Sequence, residues 1–536
     1  MLTLRLMAWF CAMPATMLVA AIGCDGPRSP MGMPPQDYRV ETSQIAGGPP
    51  ESPQNERYES FRENRFELVA QQPLATFSAD VNTASYSNIR NLLQNGQRPP
   101  VDAIRTAELI NYFDYDYPRP KGDDPVAFQL EMGPCAWKPL HRVLKISLAA
   151  KRFSAEQLPP RNLVFLVDTS GSMNADNKIG LVKRSLKLLS ESLREQDWVS
   201  IVTYAGSSEL LLPTTSGADR DSISRAIDSL SCNGSTNGAG GIVAAYAQAT
   251  KHPIAGGINR VILMTDGDFN VGINNPTELQ SLIEGKRKTG VYLTAIGFGR
   301  GNLRDDIMET LARHGNGHYG YVDSIDEARK LFADQGGALV TVAKDVKLQV
   351  EFNPLRVAAY RLIGYENRVM KAEDFKNDAK DAGDLGSGHT VTALFEIIPT
   401  GVKLEGSGID PLKYQATAKK ANDAALTGEW CTVRMRYKQP DAETSAELTA
   451  KLGAAADQAK PSADLRFASA VSMFAMLLRD SEFKGESNWD RVRTEAAAGQ
   501  IADRTGRRAE FLRLVDLAST LPPPSSVPLP KNARPE

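Results

Sequence analysis

Cysteine is scarce in this chain, with five residues in 536 and no Cys-x-x-Cys pair. That absence excludes zinc-ribbon and thioredoxin-type redox modules, whose sulfurs need close spacing. Also missing are a Gly-x-Ser-x-Gly elbow, a phosphate-binding P-loop and a His-Glu-x-x-His helix, which argues against the common hydrolase chemistries. Neither charge is in excess: Lys plus Arg is 62 and Asp plus Glu is 64. So near-neutral a chain lacks the electrostatic footprint of a nucleic-acid binder. His314 and His318 stand four apart, but Gly315 and Gly317 between them disfavour a metal-bearing helix.

What is present centres on Leu163-Val164-Phe165-Leu166-Val167, an apolar run that reads as a strand buried on both faces. It leads into Asp168-Thr169-Ser170-Gly171-Ser172, a turn with one carboxylate and two serine hydroxyls at the end of a strand, where open α/β sheets bind ligands. These are hard oxygen donors of the kind Mg²⁺ prefers. Asn233–Gly238 places Thr236 in a Gly-rich loop before an apolar helical run, and Val261–Thr265 is a second buried strand, followed by Asp266. In this order Asp168, Ser170, Ser172, Thr236 and Asp266 resemble the metal-ion-dependent adhesion site of the von Willebrand factor A (VWA) domain, with all five positions filled. The resemblance implies bound Mg²⁺, with Mn²⁺ or Ca²⁺ as alternatives, and a partner protein whose Asp or Glu completes the metal's shell. It implies adhesion or assembly without catalytic residues, turnover or a small-molecule substrate. A metal-dependent hydrolase and a metal-free scaffold are the competing readings. Haloacid dehalogenase phosphatases also carry Asp after a buried strand, but they need a second Asp where this chain has Ser170.

Strands and helices alternate over residues 161–337, predicting an α/β domain with a doubly wound, mostly parallel six-stranded sheet like that of VWA and Rossmann-like folds. Leu210–Leu212 is expected to pair antiparallel at an edge, and Ile179, Val182, Leu186, Leu189 and Leu193 fall at helical spacing. On either side, residues 121–160 and 338–440 alternate apolar with polar, as in Val143–Leu148, Val391–Ile397 and Cys431–Tyr437. They predict half-exposed strands of one antiparallel β-domain into which the α/β domain is inserted. Residues 65–120 hold two helical patterns and the phrases Asp80–Tyr86 and Asn111–Phe113, which resemble the N-terminal region of YfbK-like bacterial VWA lipoproteins. Within them Asp80, Asn82 and Thr83 read as caps of the following helix. Residues 441–520 read as a helical domain, and 521–536 as a disordered Pro-rich tail. The resemblance to the C-terminal region of that same group covers residues 339–517.

Residues 1–24 have the charge and short apolar core of an export signal. Its end, Ala21-Ile22-Gly23-Cys24, looks like a bacterial lipobox, which implies lipidation of Cys24. Anchoring by lipid to a membrane of the bacterial cell envelope is therefore expected, with the bulk on the periplasmic or cell-surface side. An uncleaved anchor, the alternative, also leaves the bulk outside the cytoplasm. Residues 25–64 are Pro-, Gly- and Ser-rich and read as a flexible tether; about 40 such residues span roughly 35 Å. Cys135, Cys232 and Cys431 cannot all pair within one chain; a bridge between Cys135 and Cys431 requires neighbouring strands.

Overall fold

The computed structural model describes residues 56–522 apart from 80–81, 155, 268–275, 335–339, 404–427, 441, 458 and 501–502. Cys24, the export signal, most of the tether, Asp80 and the tail from residue 523 lie outside the described residues.

The N-terminal part forms β1 (Glu67–Leu68), β2 (Leu74–Ser78), α1 (Ala84–Gln94), α2 (Thr106–Asn111), β3 (Val126–Pro134) and β4 (Arg142–Ala150). The α/β domain follows as β5 (Arg161–Asp168), α3 (Leu181–Ser190), β6 (Trp198–Tyr204), β7 (Ser208–Ser216), α4 (Arg220–Ser229) and α5 (Gly238–Ala249). It continues through β8 (Ile258–Thr265), α6 (Pro276–Arg287), β9 (Tyr292–Phe298), α7 (Asp305–His314), β10 (Tyr319–Val322) and α8 (Ile325–Arg329). Its six strands run in the order β10-β9-β8-β5-β6-β7, parallel throughout except that β7 lies antiparallel at the edge, as expected for Leu210–Leu212. β5 is central and buried along its whole length. Leu163, Phe165 and Val167 pack with α3, α4 and α8, while Val164 and Leu166 pack with α5, α6 and α7. Each such burial is worth about 1.5–3 kcal/mol, so the strand is held in register from both faces and delivers Asp168 at its carboxyl end. The helix after it is shorter than its apolar spacing: a π-helical turn occupies Asp176–Gly180, and Leu193 lies past the last turn.

Beyond this domain come β11 (Thr341–Phe352), β12 (Val357–Ile363), β13 (Val369–Met370), β14 (Gly383–Gly386), β15 (Thr390–Pro399), β16 (Cys431–Lys438) and β17 (Ser445–Leu452). Helices α9 (Ala463–Arg479), α10 (Trp489–Ala498) and α11 (Arg507–Thr520) complete the described chain. Two antiparallel sheets, β1-β12-β15-β4-β3 and β13-β2-β11-β16-β17, enclose a common apolar core, with β14 pairing to β11. The α/β domain is inserted between β4 of one sheet and β11 of the other.

The structure corrects several expectations. β1 and β2 make residues 65–78 part of the sandwich, and β17 extends it into the stretch expected to be helical. The tether's end is not free of the fold: the Glu56 carboxylate is buried against Arg300 at 3.2 Å and accepts from the Gly301 N–H at 3.1 Å. β4 and β15 are buried on both faces, because helices cover the sheet's outer side and their polar residues are paired there. Lys145 meets Glu131 at 2.7 Å, and Glu396 accepts from Arg361 at 2.9 Å and from the Trp137 indole at 3.0 Å. Thr83 makes no side-chain cap; Asn82 instead accepts from the Tyr319 N–H at 3.0 Å, tying the start of α1 to β10. Cys135, Cys232 and Cys431 are free thiols. Cys135 packs in the helical core and Cys431 in the sandwich core, so no bridge joins them.

Candidate metal centre

Three loops at the carboxyl end of the α/β sheet build the site. Asp168 is fully buried, and its carboxylate is oriented from both sides. One oxygen accepts from the Ser170 N–H at 2.9 Å; the other accepts from the Thr265 hydroxyl at 2.7 Å and the Tyr204 hydroxyl at 3.2 Å. The turn that follows brings the Ser170 and Ser172 hydroxyls to 3.0 Å of each other. The Gly171 N–H donates to Gly234 O at 3.1 Å and the Asn233 N–H to Thr169 O at 2.8 Å, which pins the loop carrying buried Thr236 against this turn. Asn237 then caps α5 by accepting from the Gly240 N–H at 3.1 Å.

Asp266, also buried, follows β8 directly, and the Gly267 N–H behind it donates to the Thr265 hydroxyl at 3.0 Å. Burial, and next the charge of Asp266, push the Asp168 carboxyl up to about 6, while hydrogen bonds from Ser170 and Thr265 act in the opposite sense. Two carboxylates thus share one water-poor pocket, a placement that a cation relieves. The cation present is Lys178, delivered from the π-helical turn to within 3.2 Å of Asp266 Oδ2. Its stem crosses Gly299, a residue at φ +69 where any Cβ would overlap it.

The donor set fits a small hard ion. In octahedral coordination at 2.0–2.1 Å, adjacent oxygens lie about 2.9 Å apart, which the 3.0 Å serine pair matches. Asp168, Ser170 and Ser172 are in direct contact or one bond removed, Asp266 joins them through its charge, and Thr236 through its pinned loop. Sequence reading missed Lys178, Tyr204 and Thr265. Only Thr265, adjacent to Asp266, carried a positional hint, since hydroxyls beside a ligand often orient a carboxylate. The paired histidines turn to other partners: His314 meets Glu284 at 2.9 Å, and His318 packs edge-on to His389.

A family model described as von Willebrand factor type A domain matches residues 162–334, one described as von Willebrand factor matches 52–145, and one described as Uncharacterized protein YfbK, C-terminal, matches 337–521. The chain is 44% identical over 476 residues to Uncharacterized protein YfbK of Escherichia coli (strain K12), covering 87% of this chain and 82% of that one. It is 29% identical over 184 residues to human inter-alpha-trypsin inhibitor heavy chain H3, covering 32% of this chain and 20% of that one. Among solved structures, a von Willebrand factor type A protein from Catenulispora acidiphila aligns with TM-score 0.40 and 14% identity, over 75% of this chain and 91% of that one.

Proposed function

Since the chain belongs to the YfbK family of proteins built around a VWA domain, we propose that its Asp168 centre binds a divalent cation and, through it, a carboxylate of a partner protein, without turnover. VWA domains commonly mediate protein–protein interactions. The observation that carries the finer reading is the serine hydroxyl pair at 3.0 Å beside two charge-coupled buried carboxylates. In this reading Ser170, Ser172 and Thr236 offer neutral oxygens, and Asp168 and Asp266 supply the negative charge. Mg²⁺ bound there supplies an electrophilic position open to one more oxygen ligand. Tyr204 and Thr265 hold Asp168 so that it need not reorganise on binding. Calorimetric titration with Mg²⁺ and capture of envelope proteins with and without chelator test the reading. Asp168→Ala is expected to lose metal and capture together. Thr236→Ala keeps part of the metal affinity but weakens capture, and Asp266→Asn is milder for the metal. Capture by Asp168→Ala at the wild-type level, or indifferent to chelator, would overturn it.

We further propose that Cys24 carries lipid and places the domain at a membrane of the cell envelope, as the Gly23-Cys24 boundary of the apolar run suggests. Incorporation of a fatty-acid probe should vanish in Cys24→Ala. Persistent labelling would refute the anchor.

A further inference from the structure

At the other end of β5, where Arg161 begins the strand, a cavity of about 470 Å³ opens among four parts of the chain. Residues 111–115 and Arg119 line one wall, and the turn around Gly388 lines a second. Thr505 and Arg507 close a third side. The floor is apolar, from Ile262 and Ile296 of the sheet with Leu331 and Phe332 after α8. A volume of this size suits one drug-sized molecule.

The charges at the rim do not balance. Arg161 is paired with Asp197 at 2.7 Å and Arg507 with Asp114 at 2.9 Å, while Asp384 acts on Arg260 behind the wall. Arg119 and Arg152 are left over. Both converge on Gly388: Arg119 Nη1 donates to Gly388 O at 3.4 Å, and Arg152 Nε lies 3.0 Å from where a Gly388 Cβ would stand. Gly388, at φ +78, provides the bare surface over which the Arg152 guanidinium lies. No carboxylate reaches ion-pair distance of either arginine among the described residues; Asp114 and Asp116 act on Arg119 only at longer range. Two like charges held together without a counter-ion are unfavourable unless an anion joins them.

His389, next in the chain, adds a donor. Its Nδ1 accepts from the Gly386 N–H at 3.3 Å, so the neutral ring carries its proton on Nε2. Burial and the charges of Arg260 and Lys330 hold that ring neutral, its pKa lowered to about 4.

From this geometry we infer that the cavity binds an amphiphilic organic acid, its carboxylate held by Arg119 and Arg152 and its apolar body lying on the Ile262–Ile296 floor. The site is separate from the metal centre. Its test therefore runs on the full chain in the presence of chelator, with octanoate and inorganic phosphate as probes. Octanoate is expected to raise the melting temperature and to bind in calorimetry. The double variant Arg119→Gln/Arg152→Gln should weaken it by about tenfold or more, the effect of losing charge-assisted bonds. Both side chains are exposed, so the variant should keep the wild-type circular dichroism spectrum. Equal binding of phosphate and octanoate would overturn the amphiphile assignment, since the floor would then contribute nothing. Absence of octanoate binding, or binding unchanged in the double variant, would overturn the site altogether.

Discussion

Lys178, 3.2 Å from Asp266, places a positive charge beside the proposed ion site. With Asp168, Asp266 and one ammonium the centre carries a net charge of about −1, and a divalent ion takes it to about +1, leaving positive charge for an incoming carboxylate. Lys178→Met keeps the stem over Gly299 and removes the charge. Mg²⁺ affinity is expected to rise by about tenfold, because a like charge near the ion is gone. The metal-free protein should melt lower, since Asp266 loses its buried partner. Calorimetry and melting curves in chelator measure both, and an unchanged Mg²⁺ affinity would show that the ammonium does not act on the ion. At this scale the grouping of Asp168, Ser170 and Ser172 was legible in the sequence because the three sit on one turn. Lys178 was not, because its partner lies 88 positions away across the sheet.

Elements meet at buried charges. Arg105, just before α2, reaches Asp305 at the start of α7 at 2.5 Å and Glu108 at 2.5 Å, and α1 sends Arg90 to Asp323 and Glu327 beside and within α8. Glu108 in turn accepts from the Ser85 N–H at 2.9 Å and so caps α1, the role that Thr83 does not fill. Arg105→Met would strand two carboxylates in a dry seam. The expected cost is about 3–5 kcal/mol in urea unfolding, whereas a loss under about 1 kcal/mol would mean that the seam is hydrated or repacks. The alternating strands were readable as strands, yet β4 and β15 could not be read as doubly buried. Alternation reports which residues are polar, and only the helices laid across the sheet decide whether Lys145 and Glu396 meet water or a partner.

Across the whole molecule, the α/β domain and the turns that gather the proposed oxygen donors were readable from the chain alone. Buried parallel strands are continuous apolar runs; Asp168, Ser170, Ser172 and Asp266 lie within a few residues of a strand end and Thr236 just before the apolar helix α5, so local pattern suffices. The insertion of that domain between two β-segments was also readable, because the alternating strands stand on both sides of it. The tertiary structure alone decided that β2 and β17 belong to the sandwich, that the three thiols stay apart, and that Lys178 faces Asp266. It alone brought Arg119 and Arg152 to one glycine at a cavity rim. These are contacts between residues tens to hundreds of positions apart, and their geometry is set by the packing of layers against one another rather than by any local spacing.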